Sequence, residues 1–307
     1  MPPDRIRCPA YDEIHSLYQG RTDYVATRPD PKMYDTEQIE IKNKTVLREQ
    51  LETWGTTLAQ NYSEVTEDAP GGLGGRMGRP GCAKWVPLEY KVLDPDIPLT
   101  AFAAKTFFTH ENGEKKEELH FFLWKKIPKA SDPTALMEEF RSRDFYDEEV
   151  ACIRVEVGSD HFEETEPEPY AVRRYRELGT ELLKGAEAFA QVRANQMGKN
   201  IQFIIPGRQL DTVSWALEQG YAAKNPSEAE KLDKVLTGDP SLALGEDDYF
   251  FPAETPPESR GADHYSKLQR EGGAFAVSLE KTIETQELTD IRKGLHDEFM
   301  LQIPDKI

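Results

Sequence analysis

Catalysis needs acids, bases, nucleophiles or anion cradles at workable spacing, and few segments of this sequence offer them. The run Gly71-Gly72-Leu73-Gly74-Gly75-Arg76-Met77-Gly78-Arg79-Pro80-Gly81 surrounds two arginines with glycines. Glycines let backbone N–H groups approach an anion, and arginines add charge. The run lacks the Lys-Ser/Thr ending of a P-loop, and Lys84-Trp85-Val86-Pro87-Leu88 after it is strand-like, not a helix start. A surface loop and a substrate-covering flap both remain open readings. His161-Phe162-Glu163 has His-x-Glu spacing, and His264 or His296 would complete a two-histidine, one-carboxylate metal set. That spacing is common by chance and glutamates crowd it, so no metal is assigned. The sequence has no Gly-x-Ser-x-Gly elbow, no His-Glu-x-x-His and no dinucleotide glycine fingerprint.

The three cysteines, Cys8, Cys82 and Cys152, are far apart and odd in number, which fits a reducing compartment. Cys152 sits in an apolar strand pattern and reads as a buried thiol. The formal net charge of −18 over 307 residues repels phosphate backbones, so nucleic acid is not expected as a partner. It leaves room for an anionic cofactor held by a local nest of N–H groups and arginines. The polar start and the lack of any run near ~18 apolar residues point to no membrane partner and a cytoplasmic location, or cytosolic and nuclear.

Periodicity supplies the frame that must position any chemistry. Helices are expected at 11–17, 37–60, 132–141, 171–197, 210–219 and 228–236, with residues 20–36 as a loop. Strands are expected at 85–93, 99–109, 119–125, 150–157 and 200–205, and His110-Glu111-Asn112-Gly113-Glu114 supplies turn chemistry. Residues 158–169 read as an acidic loop and 237–262 as largely irregular. Beyond them come an extended segment, 265–281, and a helix, 284–299. The fold class is α+β, with a mixed, mostly antiparallel, twisted sheet flanked by helices.

The order of antiparallel strands, strand, long helix, strand and short helix ending in Gly220-Tyr221 resembles the GNAT superfamily of acyl-CoA N-acyltransferases, chiefly over residues 150–222. In that superfamily a strand leads into Arg/Gln-x-x-Gly-x-Gly/Ala at the start of a long helix, where free N–H groups and the helix dipole hold a pyrophosphate. Arg176-Glu177-Leu178-Gly179-Thr180-Glu181, followed by Leu182-Leu183, is similar to it, with Glu181 where Gly or Ala is expected. The same residues also fit a packed amphipathic helix, with Leu178, Leu182, Leu183, Ala186, Phe189 and Ala190 on one face. Many members carry a tyrosine four residues before the glycine of the ending, as general acid toward the CoA thiolate. Here that position is Ala216.

The resemblance implies an acyltransferase-like domain over 1–225, a C-terminal extension over 226–307, acetyl-CoA as donor and a primary amine of a small molecule or peptide as acceptor. It implies that Val155 and Val157 pair with the donor's amides. Arg173, Arg174 and Arg176 would supply charge, with Leu178, Gly179 and Thr180 around the diphosphate. A base must take the proton of the incoming ammonium. Glu156, on the strand beside the acyl arm, and His120, on the preceding strand, are the candidates. An outward-facing strand glutamate is the plainer reading of Glu156. The acidic run Glu163-Glu164-Thr165-Glu166-Pro167-Glu168 reads as a solvated charge run or an attractor of cationic acceptors. A non-catalytic interaction protein on the same scaffold is the alternative.

Overall fold

The computed structural model describes residues 11–21, 44–62, 84–94, 99–109, 115–125, 127–129, 133–140, 149–157, 161–164, 176–245, 248–260 and 275–286. The chain divides into two units, each discontinuous in sequence. The smaller comprises residues 1–39, 172–174 and 204–281, and the larger 40–171, 175–203 and 282–307. Residues 226–281 thus belong with 204–225, while 282–307 belong with the other unit.

The larger unit contains α2 (Lys44–Asn61), β1 (Lys84–Asp94), β2 (Leu99–Thr109), β3 (Lys115–Trp124), α3 (Pro133–Phe140), β4 (Glu149–Val157), β5 (His161–Glu164) and α4 (Arg176–Met197). The five strands lie in sequence order, each antiparallel to the next. Strand alternation sorts β3 into two sets. Leu119, Phe121 and Leu123 face the helices, where Phe121 meets Trp54 of α2 and Phe189 of α4 edge-on, at 5.9 and 5.7 Å between ring centroids. Phe122 and Trp124 face the other way, into a cluster with Phe102, Ala104, Cys152 and Leu136 of α3. Burial on both faces explains why Ala101-Phe102-Ala103-Ala104 of β2 reads as an unbroken apolar run. Cys152 is a buried free thiol, as its strand pattern suggests.

Two glycines set the approach of α2 to α4. A Cβ added to Gly55 would fall inside the contact radius of the Gly185 carbonyl oxygen, and one added to Gly185 would lie 3.0 Å from the Leu51 carbonyl oxygen. At Gly55 only hydrogen allows this backbone contact, while at Gly185 a methyl would be tight against Leu51.

The smaller unit contains α1 (Tyr11–Tyr18), α5 (Leu210–Glu218), β7 (Ala222–Ala223), α6 (Pro226–Thr237), β8 (Leu242–Leu244), β9 (Phe250–Pro252) and a short 3-10 turn at Pro257–Ser259. The division between units falls inside β6 (Ile201–Gly207), and the last described strand is β10 (Val277–Ile283). β7 pairs antiparallel with β10, and β8 with β9. Local chemistry fixes the helix ends. The Asn225 side chain accepts from the Glu228 N–H at the start of α6, Pro226 opens it, and Gly238 ends it with φ +64°. Gly220, at φ +84°, turns the chain after α5 so that the Tyr221 N–H donates to the Ala216 carbonyl. Arg21 clasps the chain after α6, donating to the carbonyls of Gly238, Asp239 and Pro240 at 3.2, 2.8 and 3.0 Å.

Most elements lie where periodicity puts them, with β2 spanning Leu99–Thr109 as expected. One expectation is corrected. Within the supposed loop 158–169, residues His161–Glu164 form β5. Its His-Phe-Glu-Glu sequence has no apolar alternation, and its extended form comes from pairing with β4. Two three-residue strands also form in the stretch expected to be largely irregular, too short for a period to register. The expected helix at 284–299 lies outside the described residues beyond Gln286. Among the described residues no helix is long and apolar enough to cross a membrane.

Candidate functional site

The face of the sheet turned away from α2 and α4 carries a polar group beside the Phe122–Trp124 cluster. Register assembles it. Thr106 of β2 faces Glu118 of β3, and Glu118 faces Glu156 of β4, which faces Glu163 of β5. One step along, His120 faces Arg154. The two residues proposed from sequence as bases, His120 and Glu156, therefore stand on neighbouring strands, on one face, one register row apart.

His120 is 3% exposed. Its Nε2 lies 3.3 Å from Glu118 Oε2 and 3.1 Å from Thr106 Oγ1, and its ring stacks on Phe122 with an interplanar angle of 11°. The Thr106 hydroxyl also lies 3.4 Å from the Glu118 carbonyl oxygen, to which it donates. Burial chiefly holds the His120 imidazole below its ordinary value. The hydrogen bond and charge of Glu118 oppose that, and Arg154 adds to it. For Glu118, burial acts upward, but the hydrogen bond from His120 and the charges around it (His120, Arg154 and Lys116) outweigh it and hold the carboxyl low. The two shifts pull against each other, since an ionised imidazole lowers Glu118 most while burial denies His120 that charge. Near-complete burial decides for a neutral ring, with Nε2–H donating to an ionised Glu118 and the lone pair on Nδ1. This is the protonation state of a general base.

That assignment has a stability consequence. A histidine whose folded value is depressed binds fewer protons folded than unfolded, so its contribution is complete above about pH 6.5 and is lost as pH falls below that. Glu118, also depressed, has the same sense lower down, below its usual carboxylate range. Urea midpoints of the parent chain should drop between pH 7.5 and 5.5, and His120→Asn should remove a measurable part of that drop.

The remaining sequence-predicted residues divide between β4 and α4. The Val155 side chain is 1% exposed and belongs to the helix-covered face. Along the ladder, Val155 pairs with Leu119 and Glu164, and Val157 with Phe162. Arg174 lies outside the described residues, as does the glycine-rich run at 71–81. Arg176 opens α4, which is continuous from there to Met197. Gly179 and Thr180 stand at the end of its first described turn. The Leu178 side chain is buried in the core, while a Cβ on Gly179 would meet none of the described residues within 4 Å. α4 packs on the Phe121 face, so this helix and the His120–Glu156 pair lie on opposite sides of the sheet.

Glu181, the residue out of place in the anion-loop pattern, has a structural partner. Arg48 of α2 donates to its two carboxylate oxygens through Nε and Nη2, both at 2.8 Å. Glu181 is 3% exposed, so the pair is buried at the carboxylate end. Sequence reasoning missed this tie because its members are separated by 133 residues on two helices, with only opposite charge to connect them. Ala216 is fully buried in α5 and its carbonyl receives Tyr221. An open groove of about 630 Å³ runs along α2 and α4, but it is lined by residues such as Glu52, Thr56, Lys184 and Gln191, on the helices and away from His120. Among the described residues no three His, Cys, Asp or Glu side chains gather to hold a metal ion.

The chain matches no family model, no curated protein and no solved structure.

Proposed function

We propose that the chain is an N-acyltransferase that moves an acyl group from acetyl-CoA to a primary amine of a small molecule or peptide. The observation that supports this best is the element order. An antiparallel run goes through β4 to the four-residue β5, a 22-residue helix comes next in the described chain, and then come β6 and the short α5 closing on Gly220-Tyr221, so that β5 is the one addition to the expected order. Apart from it, this is the order of the acyltransferase resemblance, and a neutral histidine and a glutamate share the face beside β4.

In the reaction, the acceptor arrives as an ammonium and gives one proton to His120 or Glu156. Its nitrogen lone pair attacks the acyl carbon, the C–N bond forms, the nitrogen sheds its second proton to solvent, the C–S bond breaks, and CoA leaves as a thiolate that takes up a proton. With Ala216 where the superfamily carries tyrosine, that last proton comes from another group. The donor's diphosphate would lie at the first turn of α4, with Arg174 and Arg176. The β4 backbone would pair with the pantetheine amides, and strand N–H groups would polarise the acyl carbonyl. Replacing His120 by glutamine is expected to lower kcat about 100-fold or more while acetyl-CoA affinity holds.

A calorimetric titration with acetyl-CoA and CoA tests the reading. Micromolar binding is expected. It should be abolished in Gly179→Trp with the fold intact, because among the described residues nothing crowds that Cβ. Absence of binding to either ligand by folded protein would leave the second reading, a partner-binding protein on this scaffold, which the engaged Glu181 and the buried Ala216 favour.

A further inference from the structure

We infer that the groove along α2 and α4 docks a lysine- or arginine-bearing segment of a partner protein, independently of any acyl transfer. The groove is open, about 630 Å³ in volume, and lies wholly within the larger unit. The close crossing of the two helices at Gly55 and Gly185 shapes it, with Glu52 and Thr56 of α2 facing Lys184 and Ala188 of α4. Along α2 it extends from Glu49 to Thr57, a rise of about 12 Å.

Hydrogen-bond accounting defines what fits there. A threonine hydroxyl has one proton and two lone pairs. Thr53, Thr56 and Thr57 spend that proton on their own helix, donating to the carbonyls of Glu49, Glu52 and Thr53 at 2.7, 2.9 and 3.1 Å. Their lone pairs remain. The Gln191 amide donates to the Glu284 carbonyl at 2.6 Å and to Asn195 Oδ1 at 3.3 Å. Lys184 donates to Glu187 Oε2 at 3.0 Å, so those two charges cancel. Glu49 and Glu52 keep theirs. Neither is in an ion pair among the described residues, and the neighbouring Arg48 is committed to Glu181 through two hydrogen bonds. The lining therefore offers acceptors and negative charge, while each of its donor groups already has a partner. An ammonium or guanidinium group is a pure donor and meets that demand. Its aliphatic stem can lie on Ala188 and Ile283 while the head reaches a carboxylate. The carboxylates are spread along the groove, and among the described residues none gather to hold a metal ion. Spaced cationic side chains on one segment match that spread, and the net charge of −18 steers a basic partner toward the protein.

The experiment is an NMR titration of the full chain with the end-blocked peptide Lys-Ala-Ala-Lys, its lysine-acetylated form and 1,5-diaminopentane, all at one ionic strength. The peptide should give saturable amide shifts at residues 53–57 and 184–191, and the acetylated form none. Joint replacement Glu49→Gln and Glu52→Gln should weaken the peptide about tenfold, with the unfolding midpoint held. The control is Glu13→Gln with Glu230→Gln, two exposed glutamates of the other unit, which changes the net charge equally. It should alter affinity by less than about twofold, since screening confines the effect of distant exposed charges. Equal losses in the two double variants would mean that the general field attracts the peptide, and would overturn the groove. Shifts that never saturate, shifts that saturate elsewhere, or equal binding of the acetylated peptide also overturn it. Binding of the diamine as tightly as the peptide overturns the partner segment as the occupant.

Discussion

Gly55→Ala is expected to lower the unfolding free energy by about 3 kcal/mol or more, as an overpacked contact that cannot relax by rotating a side chain. The added methyl would overlap the Gly185 carbonyl oxygen, and its next neighbours are the Gly185 carbonyl carbon and the Phe189 nitrogen, all backbone. Relief requires α2 and α4 to separate. That loosens the edge-on contacts of Phe121 with Trp54 and Phe189 that seal the helix-covered face of the sheet. Gly185→Ala provides the control. Its methyl would sit 3.0 Å from the Leu51 carbonyl oxygen, tight but nearly tolerable, and alanine recovers about 1 kcal/mol of helix propensity. Its net effect should stay within about 1 kcal/mol of zero by that balance. Urea midpoints at constant m-value measure both. Equal effects of the two substitutions would mean that the close crossing at Gly55 is not a constraint.

The second large effect is asymmetric. Arg48→Ala should cost about 3 kcal/mol, toward the low end for breaking a buried pair, because it strands the Glu181 carboxylate in the interior. Glu181→Gln should cost only about 1 kcal/mol, because the Arg48 side chain is half exposed and water replaces the lost charge. Its amide can still accept one of the two hydrogen bonds. The order of the two unfolding midpoints is the readout. The reverse order would show that the arginine end carries the desolvation.

What the sequence revealed follows the range of the forces involved. Elements whose burial repeats with a fixed period were legible. β2 is apolar on both sides, and α4 keeps Leu178, Leu182, Ala186 and Phe189 on one stripe. The described part of α4 begins at Arg176, and the five residues before it, from the expected start at 171, lie outside the described residues. β5 was not legible, since its extended form is imposed by β4 and its own residues favour a solvated loop. At the candidate site, His120 and Glu156 could be named from strand position alone. Their company could not. Thr106 and Glu118 meet His120 only through the register of β2 on β3, and the row of glutamates across three strands exists only once all three are aligned. The Arg48–Glu181 tie depends on how two helices lie against each other, which leaves no local trace in the order of residues.

The clasp of Arg21 on residues 238–240 and the Tyr18 hydroxyl donating to the Val235 carbonyl at 3.0 Å join parts of the chain more than 210 residues apart. During synthesis these bonds have no partner until residues 235–240 of the 307 have emerged. At roughly 5–20 residues per second, α1 waits on the order of 10–40 s beside the ribosome with Ile14 and Tyr18, fully buried in the finished fold, still in water. The larger unit has its sheet and both packing helices available earlier, by residue 197. The smaller unit therefore closes only after those five strands and two helices have been made, and α1 is a segment for which a nascent-chain chaperone has a long opportunity.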